Sequence, residues 1–115
     1  MDVRIQPRLL SGAVTPPPSK SLAHRMIIAA ALAAGVSTVR QVAFSQDIEA
    51  TLRCMQALGA RCERAGDGLR ISGIGGVREP FQEPPRLDCG ESGSTLRFLI
   101  PISLETAGGG VFTGR

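Results

Sequence analysis

From Ser21 to Ala34 the chain is an almost unbroken run of Leu, Ala, Met and Ile, closed by Gly35. Strong helix formers ending at a glycine predict a helix that stops there. Ser37 to Phe44 then places β-branched residues at strand spacing. Ser45-Gln46-Asp47 follows as a capping sequence, and Ile48, Leu52, Met55 and Leu58 recur at the interval of one buried helical face, with Gly59 as the stop. Ala60 to Arg64 and Leu69 to Ser72 bracket Ala65-Gly66-Asp67-Gly68, which predicts a β-hairpin. The stretch from Gly73 to Pro85 is dense in glycine and proline and predicts a loop. A third helix is expected from Gly93 to Ala107, bent at Pro101 and ended by Gly108-Gly109-Gly110, before a strand at Val111-Phe112-Thr113.

Ahead of the first helix the pattern has the period of strands. Val3, Ile5 and Leu9 predict a short strand from Val3 to Leu10 with Pro7 near an edge. Ser11-Gly12 is a turn, and Ala13-Val14-Thr15 starts a second strand. Pro16-Pro17-Pro18 is a stiff extended spacer, either a crossing between domains or a stop before the helix. From Val36 onward the order strand, helix, hairpin, helix, strand implies an α/β (α+β) fold containing an antiparallel pair. The last strand has barely begun at Arg115, so the expectation is a piece of something longer.

Composition narrows the partners. The 115 residues suffice for one small domain with a core. Four Phe and no Trp or Tyr give little for stacking bases, and a net charge of +3 from scattered arginines suits small anions rather than nucleic acid. Met1 leads into alternating charged and apolar residues instead of a signal peptide, and Met26 to Ala34 is too short to span a membrane. Cys54, Cys62 and Cys89 are odd in number and lack metal-type spacing, which fits reduced thiols of a cytoplasmic protein.

The chemistry concentrates at helix starts, where unpaired N–H groups and the positive dipole end favour anions. Pro17-Pro18-Ser19-Lys20-Ser21-Leu22-Ala23-His24-Arg25 opens the first helix. Ser21 and Arg25 are four apart and share a face, and Lys20 adds a mobile charge at the start. The bland alternative makes Ser19 or Ser21 an ordinary cap and leaves the cations solvated. Asp88-Cys89-Gly90-Glu91-Ser92-Gly93-Ser94-Thr95-Leu96-Arg97 opens the third. There Gly90 and Gly93 allow close backbone approach, Ser94 and Thr95 supply hydroxyls, and Arg97 lies on the face of Ser94. Asp88 and Glu91 suit ligand hydroxyls better than a phosphate, so a polyhydroxylated anion is expected; a well-capped helix is the plain alternative. Asp47 either caps the second helix or faces the same pocket, and His24 is expected to line the site.

Pro-Ser-Lys-Ser-x-x-x-Arg after a strand, Ser-x-Asp before a second helix, and Gly-x-x-Gly-[Ser/Thr]-x-x-Arg before a third resemble the 5-enolpyruvylshikimate-3-phosphate synthase family over essentially all 115 residues. The resemblance implies transfer of the enolpyruvyl group of phosphoenolpyruvate to the 5-hydroxyl of shikimate 3-phosphate with release of phosphate, without metal or organic cofactor. It implies that Lys20 contacts both substrates, that Ser21 and Arg25 hold shikimate 3-phosphate, and that Asp47 lies beside Lys20, with Lys20 and Asp47 the catalytic pair. Gly93, Ser94 and Arg97 fall on the phosphoenolpyruvate side. It further implies a domain built of βαβαββ-type units. Residues 1–15 would pair with a second domain, 16–18 form the interdomain crossing, and 19–115 belong to an incomplete first domain that is inactive alone. Two positions depart from the family pattern: His24 stands where Asn is common, and Gly90-Glu91-Ser92-Gly93 replaces Gly-Asn-Ala-Gly. The sister enolpyruvyl transferase acting on UDP-N-acetylglucosamine would carry Lys-Asn at Lys20-Ser21. A non-catalytic anion-binding module is the alternative from another class.

Overall fold

The computed structural model describes residues 1–75 and 80–115. Its elements are α1 (Lys20–Leu32), β1 (Val36–Val39), α2 (Gln46–Ala57), β2 (Arg61–Ala65), β3 (Gly68–Ser72), β4 (Arg86–Asp88), α3 (Gly93–Ala107) and β5 (Val111–Thr113). This mixture of helices with one three-stranded antiparallel sheet and one parallel strand pair is the α/β (α+β) class the pattern implies.

Local chemistry sets the helix ends. Ser19, Ser45 and Ser92 are the N-caps, accepting hydrogen bonds from the backbone N–H of Leu22, Ile48 and Thr95. The cap of α1 is therefore Ser19, which leaves the Ser21 hydroxyl free of that task. At the far end of α3, Gly108 takes the left-handed conformation at φ 70°, where a side chain would be strained. Pro101 lies inside α3, and the helix runs through it.

β1, β3 and β2 form an antiparallel sheet in that order, with Val39 opposite Leu69 and Ala65 opposite Gly68 across the hairpin. Along β3, Leu69 and Ile71 point into the core and Arg70 points out, the period-two pattern of a half-buried sheet. β1 is shorter than expected. The chain turns at Gln41, whose φ of 54° ends the strand, and Val42 N–H bonds to the Asp67 carbonyl instead. Gly68 and Gly73 are required by close packing: a Cβ on Gly68 would meet the Val39 carbonyl, and one on Gly73 the Ala33 carbonyl. The segment after β3 thereby closes the end of α1, with Ile74 N–H bonded to Ala31 O at 2.8 Å and Gly75 N–H to Ala33 O at 3.1 Å.

β4 and β5 pair in parallel, Leu87 opposite Phe112, with α3 as the crossover between them. β4 was not expected from the sequence; it exists because β5 returns beside it, a contact remote in the chain. Part of the loop expected from Gly73 to Pro85, residues 76–79, lies outside the described residues. α2 is the hub, lying against α1, α3, β2 and β4. Its Ile48, Leu52 and Met55, with Leu58 at its C-cap, join Ile27, Ile71, Leu87 and Leu99 in one buried core.

The expected strands before α1 are absent. Residues 1–19 are exposed and carry no regular structure. A strand needs a neighbour for its N–H and C=O groups, and no described sheet edge reaches this arm. The arm lengthens the molecule: its radius of gyration is 17.3 Å, against ~13 Å for a compact chain of about this size.

Candidate functional site

The three helix starts are held together by one buried polar seam. His24 on α1 places Nδ1 2.7 Å from Thr51 Oγ1 on α2. Thr51 Oγ1 lies 2.9 Å from Thr95 Oγ1 on α3. Thr95 in turn donates to Ser92 Oγ at 2.7 Å, with the Asp47 carbonyl at 3.4 Å. Thr51 and Thr95 are fully buried. Polar groups at such depth cost stability unless bonded, so the seam pins the starts of α1, α2 and α3 against one another.

The charged residues sit at the rim of this seam. Lys20 Nζ forms an ion pair with Asp47 Oδ2 at 2.6 Å, joining the first residues of α1 and α2. The Arg25 guanidinium donates to the Ser21 carbonyl at 2.8 Å and lies 5.0 Å from the centroid of the Phe98 ring, so α3 helps to hold an α1 arginine. Ser21, Gly93, Ser94 and Arg97 are exposed, and Arg97 has no hydrogen bond or ion pair among the described residues. Lys20, Arg25 and Asp47 thus form one structured group, while Gly93, Ser94 and Arg97 present an open helix start.

Two expectations change. His24 does not line a site; it is buried in the seam, and burial foremost pushes its pKa below the usual 6.5. The Lys20 and Arg25 charges act the same way, and Asp47 opposes them. Thr95 is not a hydroxyl offered to a ligand but an internal link. Thr51 was missed altogether, although it lies on the buried stripe of Ile48, Leu52 and Met55, where a threonine among apolar residues signals a bonded hydroxyl.

A concavity of about 610 Å³ is lined by Gln46, Asp47, Glu49, Arg53, Gly90, Glu91 and Arg115. Of the residues singled out in the sequence, Asp47, Gly90 and Glu91 border it; Lys20, Ser21, Arg25, Gly93, Ser94 and Arg97 are not among its lining residues. Arg53 steadies its wall, lying 3.7 Å from the Asp88 carboxylate, and Asp88 accepts from Gly90 N–H at 3.0 Å to shape the turn before α3. A neighbouring hollow of about 430 Å³ includes Gly93 together with Ser92, Leu96 and Arg115. The cysteines are free thiols, and Cys54 and Cys89 are buried. Burial lifts the Cys54 thiol to about 12, so it is no nucleophile. No helix among the described residues is long and apolar enough to cross a membrane.

A layered α/β unit has its three helix N-termini tied together and edged with lysine and arginine, an arrangement of N–H donors and positive charge that is able to meet small anions. The model of the EPSP synthase (3-phosphoshikimate 1-carboxyvinyltransferase) family matches residues 5–115, and the chain belongs to that family. It is similar to a 3-phosphoshikimate 1-carboxyvinyltransferase of Clostridioides difficile (strain 630), 50% identical over 120 residues, covering 98% of this chain and 28% of the relative. A protein of the same name from Clostridium novyi (strain NT) is 44% identical, covering 99% and 28%. Among solved structures it resembles the EPSP synthase from Acinetobacter baumannii with a TM-score of 0.71 and 30% identity, covering 90% of this chain and 23% of that one. The chain therefore spans about a quarter of the length of the relatives it matches.

Proposed function

We propose that this chain forms part of the substrate site of a 3-phosphoshikimate 1-carboxyvinyltransferase in the cytoplasm, moving the enolpyruvyl group of phosphoenolpyruvate to the 5-hydroxyl of shikimate 3-phosphate. The observation that carries the reading is the convergence of three helix starts on one seam, with Lys20 and Asp47 paired at 2.6 Å across two of them. Both substrates are small anions, and each has charge for a helix start and a cation to meet. In this reading Lys20 exchanges its bond to Asp47 for one to substrate, and Ser21 and Arg25 hold shikimate 3-phosphate. Gly93, Ser94 and Arg97 receive phosphoenolpyruvate. Asp47 remains beside the Lys20 ammonium and keeps it oriented.

The remaining acid–base groups come from the rest of the protein, which closes over the substrates. The exposed arm supports the same reading. Val3, Ile5, Leu9 and Leu10 are apolar and uncovered, as strands waiting for a second domain would be; residues 16–18 make the crossing, and 19–115 belong to the first domain. Alone, the 115 residues are then inactive.

The test is an amide NMR titration of the chain with shikimate 3-phosphate, repeated with Lys20→Ala, alongside an assay of phosphate release. Shifts at Ser21 and Arg25 that vanish in the variant, with no turnover, are expected. Lysine-dependent phosphate release by the chain alone would overturn its inactivity. Saturable binding of unrelated anions with equal affinity would favour a non-catalytic anion-binding module.

A further inference from the structure

His24 is the single histidine of the chain, is 2% exposed, and stands at one end of the seam that joins the three helix starts. Its Nε2 is buried and has no hydrogen-bond partner among the described residues. Counting protons along the seam gives it a direction. Ser92 Oγ accepts from the Thr95 N–H at 3.2 Å and from the Thr95 hydroxyl at 2.7 Å. A hydroxyl has one proton to give. With the Thr95 proton directed at Ser92 and the Asp47 carbonyl, Thr95 Oγ1 accepts from Thr51. Thr51 has then spent its own proton and accepts from His24 Nδ1–H. The opposite polarity would take the Thr95 proton from the Asp47 carbonyl and leave a buried Nε2–H with no acceptor. An orphaned N–H is rarer and costlier than an unused lone pair.

We propose that His24 is a positioning residue: a neutral imidazole held as the Nδ1–H tautomer, which sets the direction of one buried hydrogen-bond chain and so fixes the first turns of α1, α2 and α3 relative to one another. The residues facing it agree. Lys20 and Arg25 of α1 oppose a positive imidazole, Asp47 of α2 favours one, and α3 contributes the Phe98 ring at 6.3 Å. Burial decides the balance for the neutral form. Phe98 also carries the Arg25 guanidinium, so a shift of α3 would be felt by that arginine as well. The effect on substrate rests on the function proposed above; the tautomer and the coupling of the helices do not.

With one histidine in the full 115-residue chain, a long-range ¹H–¹⁵N spectrum of ¹⁵N-histidine-labelled protein reads a single imidazole. A protonated Nδ1 and bare Nε2 at pH 7.5 are expected; an Nε2–H tautomer or a mixture overturns the polarity. Coupling is read from the amide resonances of residues 92–97 and from titration with inorganic phosphate. His24→Phe is expected to shift those α3 resonances and to weaken phosphate about fivefold to tenfold at Lys20 and Ser94. His24→Asn, whose amide N–H reaches the position of Nδ1–H, is expected to restore both. Thr51→Val, which removes the middle link at nearly constant volume, is expected to act like His24→Phe and serves if that variant does not fold. Wild-type α3 resonances in Thr51→Val, or in a folded His24→Phe, would overturn the positioning role. Failure of phosphate to bind the wild-type chain would count against the proposed function alone.

Discussion

The first turns of α1 and α3 have similar residues, small hydroxyls followed by an arginine, and yet they are left in different states. At α1 the cations are already engaged: Lys20 by Asp47, and Arg25 by the Ser21 carbonyl and the Phe98 ring. At α3 the buried hydroxyl, Thr95, faces inward, while Ser94 and Arg97 face solvent with Arg97 uncommitted among the described residues. The lesson is that a motif defines a stock of groups and packing divides it. On the proposed reading, an anion at α1 displaces an internal partner but finds cations held in place. At α3 it displaces nothing and must order the arginine itself, at a cost in rotamer freedom.

That contrast can be broken experimentally. Lys20→Ala has the largest expected effect, a loss of about 10²- to 10³-fold in kcat/KM of the complete enzyme, measured by phosphate release. Its thermal stability should change by less than ~1 kcal/mol, because the ion pair is largely exposed. A large loss of stability would mean that the pair is a fold element rather than a poised site. Gly73→Ala tests the frame beneath α1. Its Cβ would run into the Ala33 carbonyl, and a cost of about 2–3 kcal/mol is expected from urea unfolding.

Thr95→Val, by the same measurement, should cost about 1–3 kcal/mol, since it strands the Ser92 and Thr51 hydroxyls in a buried place. Combined with Thr51→Val it should cost clearly less than the sum, because the two share one chain of bonds. Acid should act through His24. Its folded pKa lies below 6.5, so between 6.5 and that lower value the unfolded chain binds a proton that the native state refuses. Stability is then complete above pH 6.5 and declines as pH falls through the window, by at most ~1.4 kcal/mol per unit. Urea midpoints at pH 7.5 and 5.5 measure the slope, and His24→Asn should flatten it.

The smallest effect separates the two arginines directly. Arg97→Ala should leave the melting temperature almost unchanged, within about 0.5 kcal/mol, whereas Arg25→Ala should cost about 1 kcal/mol through its ring contact and hydrogen bond. Equal losses would erase the distinction between a prepared and an open helix start.

Much of this was legible before folding, and the reason is locality. The bounds of α3 match those expected, and α1 and α2 differ from theirs by a residue or two, because serine caps and terminal glycines act within one turn. The hairpin was legible from Gly66-Asp67 between two alternating runs. β4 was not, since three residues form a strand only when β5 pairs with them from across α3. The arm before α1 has a strand-like pattern and no strand, because alternation describes a face and cannot supply the neighbour to bond with.

For the site, residue types and spacing marked Lys20, Ser21 and Arg25 at one helix start and Gly93, Ser94 and Arg97 at another as candidates for meeting anions, left Asp47 open between a cap and a pocket residue, and together marked the family resemblance. Spacing along a helix is a local property, and it survives folding unchanged. Which hydroxyls face inward was decided only by tertiary structure. Thr51 and Thr95 are 44 positions apart, and His24 lies another 27 before Thr51. No local rule separates Ser94 from Thr95, adjacent residues of the same chemistry. Their difference in depth arises when α3 settles against α1 and α2, and burial then charges an unbonded polar group far more than an exposed one.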